Sequence, residues 1–491
     1  MSQKAKLTLV FLTINLLSTI YSQLLDNADL RFVLSFFNNG IRAPAQTAMT
    51  NEDKTIDLFN ENWSIPGPSE LTNIGTRQQY LLGKRNRGIY GNFVSDTYDP
   101  NEVYIRVADY NNTLMSAQAQ MSGFYPDGNG YTVPSSLLDV AKPPGTNNNY
   151  GNIDAISSTT GGQTTYFSLP NRMQIVPTHV FEADDRKYFL LYGIKDACPE
   201  LYETIYDDNV ESKEIKDMID EFNNRYSEKL VKVFSVDKDY FRNIDNLYLF
   251  LDTYEIDYVH GRDLSIITNA GINKESFYND TIKYLNVIKY DFYNGGEDMY
   301  YPKIAFSSFA DELFKWTDNR INKDKNNNMK YQSYSMPKIV FFGVKDSTLA
   351  SLYLYIKDAM NITDTVDHNI PYSSSLNIEL YRKIGSTNEN DYQVRINFND
   401  RIYGPFNYTT FKNDMMTNYM TLHEIDDYCD GYNFLVGWGF RNATIVLGVL
   451  LGALLLAFLA LLLCCCLCYE RKNKNDHHKV NNTVPHDEKQ V

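Results

Sequence analysis

Residues 30–44 read LRFVLSFFNNGIRAP, and no other stretch limits the possible folds so much. Phe32, Val33, Leu34, Phe36 and Phe37 crowd into a segment rich in β-formers and too short for a buried helix. Asn38, Asn39 and Gly40 then stop the run abruptly, and Arg42 and Pro44 follow. A strand apolar on both faces belongs inside a sheet covered on both sides. A polar loop at the carboxyl end of such a strand is where open α/β sheets assemble their sites.

The same logic returns at residues 336–356, where the apolar run IVFF breaks at Gly343-Val-Lys-Asp and a helix follows, with Ser347 or Thr348 as its expected cap. Residues 70–90 read as an amphipathic helix capped by Thr72 or Asn73, with Leu71, Ile74, Gln78, Leu81 and Leu82 at helical spacing. Residues 103–126 read as a strand, a polar turn and a helix beginning near Thr113. Residues 143–165 have no apolar period and read as a long loop, and strand character resumes over 174–191. Helical periods fill about 200–300 and again 306–320, where the polar loop 322–328 ends them. LNIELYRK and YQVRINFN flank a polar turn and predict a hairpin. The fold class expected is α/β.

A net charge of −15 argues against a nucleic-acid partner, though it does not forbid one local anion site. Tyrosine is abundant, at 38 residues, and asparagine clusters in the expected loops, which suggests a surface polar without being charged. The two ends speak about compartment. Residues 1–22 place Lys4 and Lys6 before an apolar segment, as a secretory signal peptide does. Residues 445–468 are uncharged and apolar, long enough for one transmembrane helix, and Arg471, Lys472 and Lys474 follow at once. A type I arrangement is therefore expected: ectodomain 23–440 outside the cell or in a lumen, and the short tail 469–491 in the cytosol. The membrane itself is either the cell surface or an endomembrane.

Four of the six cysteines, Cys464, Cys465, Cys466 and Cys468, crowd the cytosolic edge of that span, as S-acylation sites or as plain apolar filler. Cys198 and Cys429 remain for the ectodomain and most simply pair in an oxidising compartment. Asn62, Asn111, Asn279, Asn361 and Asn407 head glycosylation sequons. Gly448 and Gly452 share one face of the span, which makes a homodimer conceivable. No cluster has metal-ligand spacing, and no cofactor is expected.

The loop at residues 38–44 resembles the Arg-His-Gly-x-Arg-x-Pro signature of the histidine acid phosphatases. Gly40, Arg42 and Pro44 match, but Asn38 stands in the place of the first arginine and Asn39 in the place of the nucleophilic histidine. Leu71, Thr72, Gly75, Gln78, Leu82 and Gly83 match the signature that follows in that family. Arg106, Asp109, Thr113, Ser116 and Ala117 match a third segment, in which Asn112 replaces a second arginine. His179 falls in the Pro-Val-His position, and Glu379, Leu380 and Tyr381 match a late hairpin. In the family's His-Asp-Thr-Thr-Leu segment Lys345 replaces the histidine, whereas Asp346, Thr348 and Leu349 remain. The resemblance implies an α/β core with an α-helical cap inserted at about 200–300. It also implies a bridge from Cys198, which precedes a proline as in the family, to a cysteine near the ectodomain's end, here Cys429.

The family's reaction needs a histidine that attacks phosphorus, cations that hold the phosphoryl oxygens, and an aspartic acid for the leaving group. Asn39 cannot attack, because its nitrogen lone pair is delocalised into the amide. Lys345 offers a hydrated point charge where the family has a planar donor. Arg42, Arg106 and Lys345 survive either as an anion pocket or as structural ion pairs, with Asp109 or Asp346 as candidate partners. Asp346 serves as a residual acid or as a helix-start cap, and His179 as a hydrogen-bonded structural residue or as a ligand. Two functions stay open. One is a pseudophosphatase that binds a phosphorylated ligand or an extracellular protein. The other is a phosphomonoesterase with activity left in a drifted site.

Overall fold

Residues 28–429 are described by a computed structural model, apart from 46–47, 52–53, 58–62, 64–65, 139, 143–155, 182–192, 194–197, 211, 292–298, 326–335, 364–369 and 387. The expected leader, Asn62, the span with its glycines and cysteines, and the tail lie outside the described residues. No described helix is long and apolar enough to cross a membrane. The described residues, Ala28 to Cys429, belong to one compact unit.

The chain runs β1 (Ala28–Phe37), β2 (Ala48–Asn51), β3 (Lys54–Asp57), α1 (Asn73–Tyr90), β4 (Val103–Ala108), α2 (Asn111–Phe124), β5 (Thr132–Val133), β6 (Ser157–Thr160), β7 (Gln163–Phe167) and β8 (His179–Phe181). Helices follow: α3 (Pro199–Val210), α4 (Lys213–Phe222), α5 (Glu228–Phe234), α6 (Ile244–Val259), α7 (Ser265–Asn269), α8 (Lys274–Asp291) and α9 (Tyr300–Lys325). The chain then forms β9 (Ile339–Gly343), α10 (Asp346–Ala359), β10 (Ser375–Lys383), β11 (Tyr392–Phe398), β12 (Arg401–Asn407), α11 (Tyr408–Met416) and α12 (Leu422–Cys429).

Seven strands form the main sheet in the order β12-β11-β10-β1-β9-β4-β8. β1, β9, β4 and β8 are parallel, and the β10–β11–β12 meander joins β1 antiparallel. β1 lies in the middle, as its two-sided apolar sequence requires. Phe32, Leu34 and Phe36 face one layer with Phe342, α9 and α10; Val33 and Phe37 face the other with Phe341, α1 and α2. α3–α8 enclose a separate aromatic core of Phe222, Tyr226, Phe250, Tyr254, Phe277 and Tyr284.

Several expectations need correction. Tyrosine is not chiefly a surface residue: Tyr90, Tyr254, Tyr284, Tyr301, Tyr392 and Tyr408 are among the largest fully buried side chains. Carboxylates accept from three of these hydroxyls, Tyr90 to Glu379 and Tyr408 to Asp318, each 2.6 Å, and Tyr392 to Asp324 at 3.0 Å, and the Lys274 carbonyl accepts from Tyr254 at 2.8 Å. α1 is capped by Thr72, but its buried face is Gly75, Gln79, Leu82, Gly83, Asn86 and Tyr90, while Leu81 is exposed. That face is small and polar because α1 and α2 pack backbone to backbone: a Cβ on Gly83 would strike the Gln120 carbonyl, and one on Gly123 the Tyr80 carbonyl. Residues 157–167 are a hairpin rather than loop, turned by Gly161 and Gly162 with φ of 60° and 80°. α10 begins before Ser347 and Thr348; Lys345 takes its N-cap position without a side-chain bond. The helix expected over 306–320 runs over Tyr300–Lys325. Cys198 and Cys429 are bonded, which closes a sequence separation of 231. Asn111, Asn279, Asn361 and Asn407 are exposed.

Candidate functional site

β1 ends level with its neighbours: Phe37 is opposite Gly343 on β9, and Gly343 is opposite Val107 on β4. Asn38, Val344 and Ala108 therefore leave the carboxyl edge side by side. Asn38 is 1% exposed and fully engaged. Its Nδ2 donates to the Pro371 carbonyl (3.0 Å) and its Oδ1 accepts from the Ser374 amide (2.7 Å). The Asn39 Nδ2 donates to the Gly40 carbonyl at 2.9 Å. Gly40 presses so closely on α1 that a Cβ would collide with the Gly75 carbonyl. α1 seats the rest of the loop: the Ile41 amide donates to Gln78 Oε1 (2.9 Å), Thr72 Oγ1 to the Ile41 carbonyl (2.9 Å), and Gln79 Nε2 to the Asn38 carbonyl (2.7 Å).

Arg42 points from this loop at α6. Its Nη2 donates to both carboxylate oxygens of Asp252, at 3.2 and 3.1 Å, and its Nη1 to the Ala43 carbonyl at 3.1 Å. The Tyr372 hydroxyl donates to the same carboxylate at 3.3 Å. Burial alone would weaken the hold of Arg42 on its proton, but Asp252, Tyr372 and other neighbours reverse that and keep the guanidinium charged. Beside it, Lys289 of α8 lies 3.3 Å from Asp346, whose other oxygen accepts from the Ser347 amide at 2.9 Å. Desolvation pushes Asp346 up, yet Lys289 and Arg42 outweigh it and hold the carboxyl below the usual range. Glu255 completes the group. It is buried, its Oε2 has no hydrogen-bond partner among the described residues, and desolvation raises its proton affinity against the pull of Lys289.

The structure thus brings Arg42 and Asp346 into one charged cluster. The other expected residues make further contacts. Arg106 sits one row back from the edge, opposite Phe342, and pairs with Glu312 of α9 at 3.1 Å. His179, opposite Arg106 on β8, is exposed and stacks on Tyr104 at 4.6 Å. Burial and then Arg106 lower its proton affinity. Lys345, one residue past Val344, lays its Nζ 4.7 Å over the Tyr110 ring. Asn112 Nδ2 donates to the Ser69 carbonyl at 2.9 Å, and Asp109 is exposed. Arg106 pairs with Glu312 and Arg42 with Asp252, two carboxylates that the sequence did not single out. Neither those two carboxylates nor Lys289 and Glu255 belong to a motif. One clue was present: Asp252, Glu255 and Asp257 interrupt an otherwise apolar, aromatic helix, α6, that is buried on nearly every side. Among the described residues no group of histidine, cysteine, aspartate and glutamate could hold a metal ion.

A mixed α/β sheet with helices on both faces thus offers a tightly seated Gly-x-Arg loop at its central strand. The family model of the histidine phosphatase superfamily (branch 2) matches residues 18–399, and the chain belongs to that family. Its sequence is 34% identical to the lysosomal acid phosphatase of Xenopus laevis over 103 residues, 21% of this chain and 22% of the relative. It is 37% identical to the prostatic acid phosphatase of Mus musculus over 98 residues, 20% of this chain and 24% of the relative. The chain thus spans about a quarter or less of the length of these curated relatives. Among solved structures it resembles the phytase of Klebsiella sp ASR1, with a TM-score of 0.51 and 12% identity over 80% of this chain and 96% of that one. That likeness concerns the fold alone.

Proposed function

We propose that this chain is a non-catalytic histidine acid phosphatase-like protein, anchored by one membrane span, whose lumenal or extracellular domain acts by binding. The observation that carries the reading is Asn39. It stands where the family's nucleophile belongs, and its amide donates to the carbonyl of its own neighbour, Gly40. An amide cannot form a phosphoenzyme, and loss of a covalent nucleophile costs on the order of 10⁴ to 10⁶ in rate. Arg42 and Arg106, which would hold phosphoryl oxygens, pair with Asp252 and Glu312 instead. In this reading α3–α8 are the inserted cap, and the Cys198–Cys429 bond supports an oxidising compartment. Residues 1–22 are then the leader, 445–468 the anchor, and the exposed sequon asparagines carry glycans. The binding partner is a phosphorylated ligand or an extracellular protein.

The names of the curated relatives favour a second reading, a phosphomonoesterase with residual turnover. One assay separates the two. The full-length chain, purified from a eukaryotic host, is expected to release no product from an aryl phosphate between about pH 4 and pH 7. Turnover within about tenfold of an active acid phosphatase, lost in a folded Arg42→Gln variant, would establish the second reading.

A further inference from the structure

The donor face of Arg42 Nη2 is occupied from within the chain. Asp252 presents both carboxylate oxygens to the guanidinium, and its side chain is 3% exposed. A carboxylate and a phosphoryl group offer the same paired oxygen acceptors to an arginine fork. The Asp252 carboxylate is also held in register. One helical turn further along α6, Ile256 packs with Ile41 and Ala43 of the loop. The next residue, Asp257, accepts from Trp63 Nε1 at 3.0 Å. Just past the helix, the His260 ring contacts Thr72 Oγ1 at 3.0 Å. Residues 252, 256 and 260 lie on one face of the helix, and that face is laid along the loop. The neighbouring pair has the opposite polarity: α8 brings the Lys289 cation to Asp346, at the start of α10. Arg42 and Asp346 are therefore each met by a counter-charge from the helical segment.

We propose that Asp252 is an intramolecular substitute for a phosphoryl group, and that it closes the Arg42 pocket to phosphate monoesters in the resting protein. A carboxylate delivered by a fixed helix competes at an effective molarity far above millimolar free phosphate. The inference rests on reading residues 38–44 as a former phosphate loop, and it narrows the proposed function. The resting protein recognises its partner elsewhere, or recognises a phosphorylated one only after α6 has moved.

The test uses the full-length chain in detergent and inorganic phosphate as the probe, with the thermal midpoint as readout. Phosphate at about 10 mM is expected to leave the wild type unchanged. It is expected to raise the midpoint of Asp252→Asn and of Asp252→Ala by several degrees, corresponding to at least about tenfold tighter binding than in the wild type. Asp252→Asn keeps the shape of the side chain and one acceptor for Arg42, so it is the variant expected to fold without help. Adding Arg42→Gln to it should abolish the response. A wild type stabilised as much as the variants would overturn the proposal, and so would folded variants that ignore phosphate. Failure of both neutral variants to fold would overturn it too, by making the carboxylate a structural requirement rather than a replaceable occupant. Turnover of an aryl phosphate with Asp252 in place would instead sink the non-catalytic reading, so the two failures are distinguishable.

Discussion

Glu255 is the most exacting residue of the charged cluster, because it is buried with one oxygen unpartnered among the described residues. Burial raises its proton affinity more than Lys289 lowers it. In the unfolded chain a glutamate releases its proton near an ordinary value of about 4.3. Between that value and its raised folded value, the folded state binds more protons than the unfolded state. Its contribution to stability is therefore fully present below pH ~4 and is lost as pH rises toward the folded value. Glu255→Gln, neutral throughout, is expected to raise the thermal midpoint at about pH 7 and to leave it nearly unchanged at about pH 4. A midpoint lowered at pH 7 would mean that the ionised form is held by Lys289 after all. Arg42 was legible in the sequence because a loop motif carries it. Asp252, Glu255 and Lys289 were not, since a side chain on a long helix acquires its partner only when the chain folds, as Asp252 does from a loop 210 residues earlier and Lys289 from Asp346 on another helix.

At the scale of elements, the sheet was the readable part. β1, β9 and the β10–β11 hairpin follow from apolar runs broken by polar turns, because burial on two faces leaves little room for polar side chains. The buried face of α1 was misread because its contacts are made by glycine and glutamine, which a hydrophobic period does not register. The β6–β7 hairpin was missed because its strands are serine and threonine, largely exposed, and only the Gly161-Gly162 turn marks them. The α1–α2 crossing makes a sharp distinction among the glycines of α1. Gly83→Ala should cost roughly 1–3 kcal/mol or more by overpacking, because the atom in the way is a backbone carbonyl that cannot turn aside. Gly88→Ala, with nothing within 4 Å, should stabilise by up to about 1 kcal/mol through helix propensity. Denaturant midpoints of the two variants check this, and equal effects of the same sign would contradict the close packing of α1 on α2.

On the scale of the whole molecule, the chain spreads its apolar surface over a sheet with two covered faces and a separate aromatic core in α3–α8. The Cys198–Cys429 bond ties the start of those helices to the last described residue. This bond also decides how the domain bears mechanical load. Tension applied from the carboxyl-terminal side of Cys429 passes through the sulfur bridge to Cys198, and the intervening separation of 231 residues carries none of it. α6 with Asp252, α8 with Lys289, and α10 with Asp346 all lie inside that unloaded ring. In single-molecule pulling from the two ends, the oxidised protein should yield only the length held outside the ring. Reduction should then add roughly 80 nm of extensible contour, from a separation of 231 residues at about 3.5 Å each. An extension that does not change on reduction would show that the bridge bears no load. With the bridge intact, such a pull spares the charged cluster's helices and falls on the part of the fold before Cys198, which includes β1 and the loop that holds Arg42.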